Sequence, residues 1–326
     1  MADSGGSNRN RKKKKKKKGQ QGGKQKQQQQ QPQDRWEAED HAGQVAESRH
    51  FQEVLASFRA YSRYMIGEVA RRERHISRMP PRYAQRLPAG FLSSKIDQLK
   101  AATRANQEFI DEVMYVTEAS GFGPQMVPGT DRVMATQSNY SKVLSTLHQC
   151  SREWGEDGKS ERDSTFEPIL DELERLLPVT DANRDRQRVL VPGCGLSRLP
   201  IEFVGRGYAA EGNEFSYHML LMSSFLLNRV DHAEQFTIYP WIDQPCNVVT
   251  GAQMLRPVAI PDRPPRAFLG GEGRQPDLSM CAGEFLEVYA EQQACWDSVV
   301  TCFFLDTAPV AAEYIEVCAA VCARWC

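Results

Sequence analysis

The run Val189-Leu190-Val191-Pro192-Gly193-Cys194-Gly195-Leu196-Ser197-Arg198-Leu199 constrains the fold of this chain more than any other segment. Three apolar β-formers lead into a turn where Gly193 and Gly195 carry no Cβ, so the backbone adopts dihedrals closed to other residues and lies close to a ligand. Leu199 to Val204 starts a helix that Gly205-Arg206-Gly207 ends. A second short strand from Tyr208 brings Glu214 about twenty positions beyond the glycines, where strand–turn–helix units of this kind hold a ribose through its hydroxyls. The segment predicts a nucleotide-type site in an α/β fold with a parallel sheet.

The glycine count narrows the ligand. A dinucleotide fingerprint has a third glycine that lets pyrophosphate sit on the helix N-terminus, and here that position is Arg198. Nor does a Lys-Ser or Lys-Thr pair follow to serve a phosphate loop. A glycine loop without phosphate machinery favours S-adenosylmethionine, whose sulfonium and amino-acid tail need no phosphate cradle. The rival is an ordinary tight turn of an α/β domain, because fold alone names no function.

With 326 residues, 40% of them hydrophobic, the chain suffices for a substantial core. No apolar run reaches the roughly 18 residues of a membrane span, and the N-terminus lacks the apolar segment of a signal peptide. Nine scattered cysteines suit reduced thiols better than a disulfide framework, so the expected location is cytoplasmic. Cys318, Cys322 and Cys326 share a helical spacing, but without a nearby histidine they read as packing, and no metal is expected.

The net charge of −1 conceals an asymmetry. Residues 1 to 31 hold eleven Lys and Arg, including Lys12 through Lys18, against Asp3, a net of +10 that leaves −11 for the remainder. This tail, taken as 1–33, is too poor in apolar residues to order itself. It reads either as a solvated extension or as a contact for a polyanion or import receptor, the latter adding a nuclear location.

Residues 34–180 read as a helical region. Phe51, Val54, Leu55, Phe58, Ser62, Met65, Ile66 and Val69 follow the three-four spacing of one helix that Pro80-Pro81 stops. Further helices are predicted over Ser93 to Ala119, Asn139 to Trp154 and Phe166 to Leu177, the second of these placing Gln149 and Arg152 on one face. Residues 181–326 then form the glycine-loop domain. After a helix over Ser216 to Arg229, the insertion 230–277, rich in proline and glycine, is expected to be a lid or substrate loop. A third strand and its loop span Asp277 to Phe285, a fourth strand Ser298 to Leu305, and a last helix Val310 to about Ala323. Ligands gather at the carboxyl ends of such strands, where Gly193, Glu214, Glu284 and Asp306 should converge.

Several motifs together resemble one family. Val191-Pro192-Gly193-x-Gly195-Leu-x-Arg198-Leu199, Gly212-Asn213-Glu214-x-Ser216, Tyr239-Pro240-Trp241-Ile242, Arg256-Pro257, Met280-x-Ala282-Gly283-x-Phe285 and Thr301-Cys302-Phe303-Phe304-x-Asp306-Thr307-Ala308 are similar to the carnosine N-methyltransferases. In the helical region His50-Phe51, Ala56-x-Phe58-Arg59-x-Tyr61 and Arg152-x-Trp154 match as well, so the resemblance runs from about residue 48 to 317.

The resemblance implies a class I methyltransferase sheet preceded by an all-helical domain, with methyl transfer from S-adenosylmethionine to the imidazole of carnosine, giving anserine. It implies cofactor contacts from Gln149, Arg152, Gly193, Glu214, Glu284, Phe285 and Cys302, with Glu214 on the ribose hydroxyls and Asp306 facing the dipeptide as the catalytic residue. At Glu284 the family pattern has aspartate, so the reach there changes by about one methylene. Asp306 has a second reading, as a helix N-cap ahead of Ala308-Pro309. A class I methyltransferase normally has seven strands and four are legible here, so a truncated form is expected. Its open sheet edge would invite pairing with a second copy, a homodimer. The alternatives are a methyltransferase acting on histidine in a protein or peptide, and a noncatalytic binding protein.

Overall fold

The computed structural model describes residues 32–244, 249–269 and 275–323, with side chains from residue 41 onward. The chain divides into two units, Met1–Gly43 and Gln44–Cys326. In the first unit the described residues are helical, and the Lys12 to Lys18 run lies outside the described residues.

Helices come first: α1 (Pro32–Arg59), α2 (Tyr61–Ser77), α3 (Pro81–Ala84), α4 (Phe91–Ser120), α5 (Gln137–Trp154) and α6 (Lys159–Leu176). The stripe from Phe51 to Val69, expected as one helix, is interrupted at Ala60, whose φ of −97° and ψ of 4° leave the helical well. Bonds from Ala60 N–H to Ala56 O and from Tyr64 N–H to Ala60 O bracket the break, so the apolar face continues across it, with Phe58, Tyr61 and Met65 all buried. Helix α5 starts at Gln137, two residues before Asn139, because Thr136 and Asn139 form a reciprocal capping box.

The carboxyl part follows the order β1 (Arg188–Pro192), α7 (Arg198–Arg206), β2 (Ala209–Glu214), α8 (Tyr217–Arg229), β3 (Phe236–Ile238), α9 (Gly251–Met254), β4 (Val258–Ile260), β5 (Leu278–Ala282), α10 (Phe285–Tyr289), β6 (Ser298–Val299) and α11 (Ala311–Val321). The main sheet has the order β5-β2-β1-β6, and its pairs are parallel, with Val191 beside Gly212 and Gly212 beside Met280. This is the parallel α/β architecture predicted from the glycine turn, consistent with a class I methyltransferase-like fold. Strand order reverses between β1 and β6, which opens a crevice at their carboxyl ends.

Two elements differ from expectation. The fourth strand is paired only at Ser298–Val299, and after Val300 donates its N–H to Leu190 O the chain leaves the sheet. Phe303 adopts a φ of +53° there and turns Phe304 inward beneath the glycine loop. The described residues of the insertion, expected as a lid or substrate loop, are instead packed structure. Its strands β3 and β4 form an antiparallel ribbon, and Ile238, Ile242, Met254, Val258, Ile260 and Phe268 are buried. The apolar residues spaced among its prolines and glycines supply enough buried surface to hold it in place.

One core cluster joins Phe51, Phe58 and Phe109 of the helical region with Leu196, Ile201 and Phe225 of the glycine-loop region. A second, between α6, β1 and α7, includes Leu170, Val189, Val191 and Phe203. In the first cluster Trp154, the last residue of α5, packs with Leu196 of the loop after β1.

Candidate cofactor and active site

Gly193 and Gly195 both occupy the left-handed region, with φ of +64° and +57°. Space forbids a side chain at either position. A Cβ on Gly193 would stand 2.5 Å from Cδ2 of Phe304, and one on Gly195 would stand 2.6 Å from Oε1 of Glu153. Both glycines are therefore required by conformation and by close approach.

The last turn of α5 holds this loop. Glu153 is buried, and its Oε1 accepts the Leu196 N–H at 3.1 Å and the Gln149 Nε2–H at 2.6 Å. Its Oε2 accepts the Arg198 N–H at 3.2 Å. The N-cap position of α7, Ser197, makes no side-chain cap, so a carboxylate from another helix satisfies amides that would otherwise be orphaned. Burial pushes the Glu153 carboxyl above its usual range, while the donors from Gln149, Leu196 and Arg198 pull it down. Trp154, fully buried, donates its Nε1–H to Leu196 O at 3.1 Å.

Arg198 stands where a dinucleotide site has its third glycine, and its guanidinium is a structural clamp. It donates to Asp262 Oδ1 at 2.7 Å, Glu202 Oε1 at 3.0 Å and Glu153 O at 3.0 Å, and lies over the rings of Trp154 and Phe268. Arg162 shares the Asp262 carboxylate and donates to the carbonyls of Arg152 and Gly155.

Glu214, at the end of β2, faces the loop from the other side. Its Oε2 accepts the Gly195 N–H at 3.1 Å, and its Oε1 accepts the N–H groups of Phe215 at 3.0 Å and Ser216 at 2.9 Å. Burial raises this carboxyl too, opposed by the same amides.

A 590 Å³ cavity opens against these groups, and Gln149, Arg152, Gly193, Glu214 and Cys302 all line it. Sequence-distant residues from α5, the β1 loop, β2 and the segment after β6 thus meet. Arg152 is paired with Glu161 at the rim. Burial pushes the Cys302 thiol up, so at neutral pH it is a neutral wall.

The other three expected residues do not line that cavity. Glu284 caps α10, accepting the Glu287 N–H and the Tyr314 hydroxyl, each at 3.0 Å. Phe285 is buried edge-on to Phe304, the ring that closes beneath Gly193. Asp306 is exposed in the short turn Leu305–Thr307, and among the described residues its carboxylate has no hydrogen bond or ion pair. Its reading as a helix N-cap is not realised, because α11 begins after Val310 and has no side-chain cap.

Sequence reasoning missed Glu153 and His218, which also line the cavity. Glu153 was within reach of the spacing rule, being four residues beyond Gln149 and so on the same helix face. His218 carries no such signal; it is buried on α8, with Nε2 3.2 Å from Ser57 Oγ, a partner 161 positions away in sequence.

The model of the family described as carnosine N-methyltransferase matches residues 129–325. The carnosine N-methyltransferase of Mus musculus is 35% identical over 290 residues, covering 87% of this chain and 70% of that protein. That of Schizosaccharomyces pombe is 34% identical over 278 residues, covering 83% and 72%. That of Dictyostelium discoideum is 31% identical over 281 residues, covering 83% and 60%. The likeness spans the α5 end, the glycine loop and both flanking carboxylates, so the elements that build the cavity fall within the shared region, and the chain belongs to the carnosine N-methyltransferase family.

Proposed function

We propose that the cavity at the crevice binds S-adenosylmethionine and that the chain transfers its methyl group to an imidazole nitrogen of carnosine, giving anserine. Family membership carries the reaction class. The observation that carries the site is the meeting of the Gly193–Gly195 loop with the Glu214 carboxylate in one cavity.

The residues present fit this cofactor. A cavity of 590 Å³ lies within the roughly 300–1,000 Å³ of small-molecule sites. Gly193 and Gly195 line the cavity with bare backbone, held in place by Phe304 and Glu153 behind them, and Glu214, with three amides bound to its two oxygens, retains acceptor capacity for a ribose hydroxyl. Arg152 offers a cation for the carboxylate of the methionine moiety. When bound, S-adenosylmethionine supplies a methyl group on a sulfonium.

Glu153 holds the loop amides and Gln149 in place, so no reorganisation is needed as the cofactor enters. A neutral imidazole, with an ordinary pKa near 6.5, is already nucleophilic at neutral pH, so catalysis is mainly alignment. Asp306, exposed and with no hydrogen bond or ion pair among the described residues, accepts the N–H on the far ring nitrogen and offsets the charge that develops on the ring. Glu284 and Phe285 act behind Phe304, through the packing of α10. The expected location is cytoplasmic and also nuclear, the Lys12 to Lys18 run being the contact for an import receptor.

The test is transfer of labelled methyl from S-adenosylmethionine to carnosine by the purified chain, beside a histidine-containing protein substrate. Label in anserine supports the reading. Label only in the protein moves the acceptor, and cofactor binding with no transfer to either leaves a binding protein.

A further inference from the structure

A separate 940 Å³ groove lies between α2, the start of α4 and α9, away from the glycine loop, and shares no lining residue with the cavity there. Arg71, Arg74 and Arg78 line it at the three-four spacing of one helical face, so they form a row about 10 Å long. His75 of α2 and Lys95 of α4 line the groove as well. The acidic residues of the lining are Glu68, which pairs with Arg71, and Asp243, which accepts from His148 at 3.0 Å. Arg74, His75, Arg78 and Lys95 make no side-chain hydrogen bond or ion pair among the described residues. Three cations, Arg74, Arg78 and Lys95, therefore face one groove without an ion pair among the described residues, with the His75 imidazole beside them, on a chain that carries −11 outside its first 31 residues.

The groove is also fixed and apolar at its base. Arg72 donates to the carbonyls of Ile242 at 2.9 Å and Asp243 at 3.0 Å, tying α2 to the insertion. Leu92, Ile96, Leu99 and Met254 lie in the lining, and Phe91 stands beside them 47% exposed. A solvated basic face needs neither a concave apolar base nor an exposed aromatic ring. A small-molecule site combines such a base with a few convergent polar groups.

We propose that this groove is a second binding site, for a small organic polyphosphate with a flat apolar body, of which a nucleoside triphosphate is the type. The arginine row complements a chain of phosphates, which guanidinium groups bind in bidentate fashion. The Phe91 ring and the aliphatic base take the flat moiety.

Equilibrium dialysis of labelled ATP against the full chain tests this, with excess S-adenosylhomocysteine present to occupy the glycine-loop cavity. The expected result is saturable one-to-one binding, weakened at least about tenfold in an Arg74→Glu, Arg78→Glu double variant and a few-fold in Phe91→Ala. A charge-matched Arg132→Glu, Arg229→Glu variant, at exposed sites elsewhere, should bind as the parent does. Adenosine alone and tripolyphosphate alone should each bind more weakly than ATP. The proposal is overturned by absence of saturable binding, by equal loss in the charge-matched control, or by tripolyphosphate matching ATP, which would leave only a charged face. A single-stranded oligonucleotide binding far more tightly than ATP would also overturn it, by making the occupant a macromolecule.

Discussion

Oε1 of Glu153 lies 2.6 Å from the point where a Cβ on Gly195 would stand, so the carboxylate that organises the loop also excludes any side chain from it. Gly195→Ala meets this contact and a φ of +57° together. The left-handed backbone alone costs about 1–2 kcal/mol. Calorimetry should show S-adenosylmethionine affinity lowered by tenfold or more, with the midpoint of thermal unfolding lowered as well. Unchanged affinity would mean that the loop relaxes at no cost and does not position the cofactor.

Glu153→Gln tests the carboxylate without changing its volume. An amide offers one acceptor oxygen where Leu196 and Arg198 each require one, and its NH₂ group must face one of those N–H donors or the Gln149 amide. A buried amide left unpaired costs about 1–3 kcal/mol. Denaturant unfolding should register that loss. Cofactor binding should weaken further, by about tenfold, because the loop loses its fixed geometry. Loss of stability with cofactor affinity unchanged would make Glu153 a structural group only.

The glycine turn, the strand after it and Glu214 were legible because they rest on local rules: β-formers, residues without Cβ, and a fixed spacing to an acidic residue. The cavity-lining set was legible as far as Gln149, Arg152 and Cys302, through motif resemblance rather than spacing. What sequence could not supply was the outcome of competition between distant parts. Ala60 breaks a helix that periodicity alone would continue. Residues 300 to 304 read as strand by composition, yet Phe304 gains more by closing beneath Gly193 than by extending β6. The insertion looked like a lid because prolines and glycines mark loops, while its buried residues Ile238, Val258 and Phe268 pack against α4, α5 and α8, which lie far away in the sequence.

Arg198 and Glu153 should separate stability from binding. Arg198→Ala removes one partner of the buried Asp262 carboxylate, which keeps Arg162, so a loss of about 3 kcal/mol is expected in urea unfolding. Its guanidinium does not line the cavity, and cofactor affinity should fall less than in Glu153→Gln. An affinity loss larger than that of Glu153→Gln would put Arg198 at the ligand.

His218 sets an acid limit on the fold. Burial lowers its pKa from 6.5 to about 3, so the folded state keeps it neutral while the unfolded chain takes up a proton below pH 6.5. The contribution is fully present above pH 6.5 and is lost as pH falls toward 3. Between pH 6.5 and 5 it amounts to about 2 kcal/mol. The raised carboxyls of Glu153 and Glu214 act in the opposite direction, gaining stability as pH falls, so the comparison must be with His218→Asn under the same conditions. Urea midpoints should fall more steeply from pH 6.5 to 5 in the parent than in the variant; parallel slopes would show that His218 is protonated in the folded state.

Asp306→Asn addresses the acceptor end of the reaction. The carboxylate is exposed and caps no helix, so the substitution should leave thermal stability and cofactor affinity unchanged. An amide still offers an oxygen to the ring N–H of carnosine, but without the negative charge that offsets the developing imidazolium. Because the carboxylate is exposed and solvent screens its charge, the loss lowers kcat by about tenfold, less than the same contact in a water-excluded site would. A rise in KM alone, with kcat intact, would mean that Asp306 binds the dipeptide equally in ground and transition states and does not act on the chemical step.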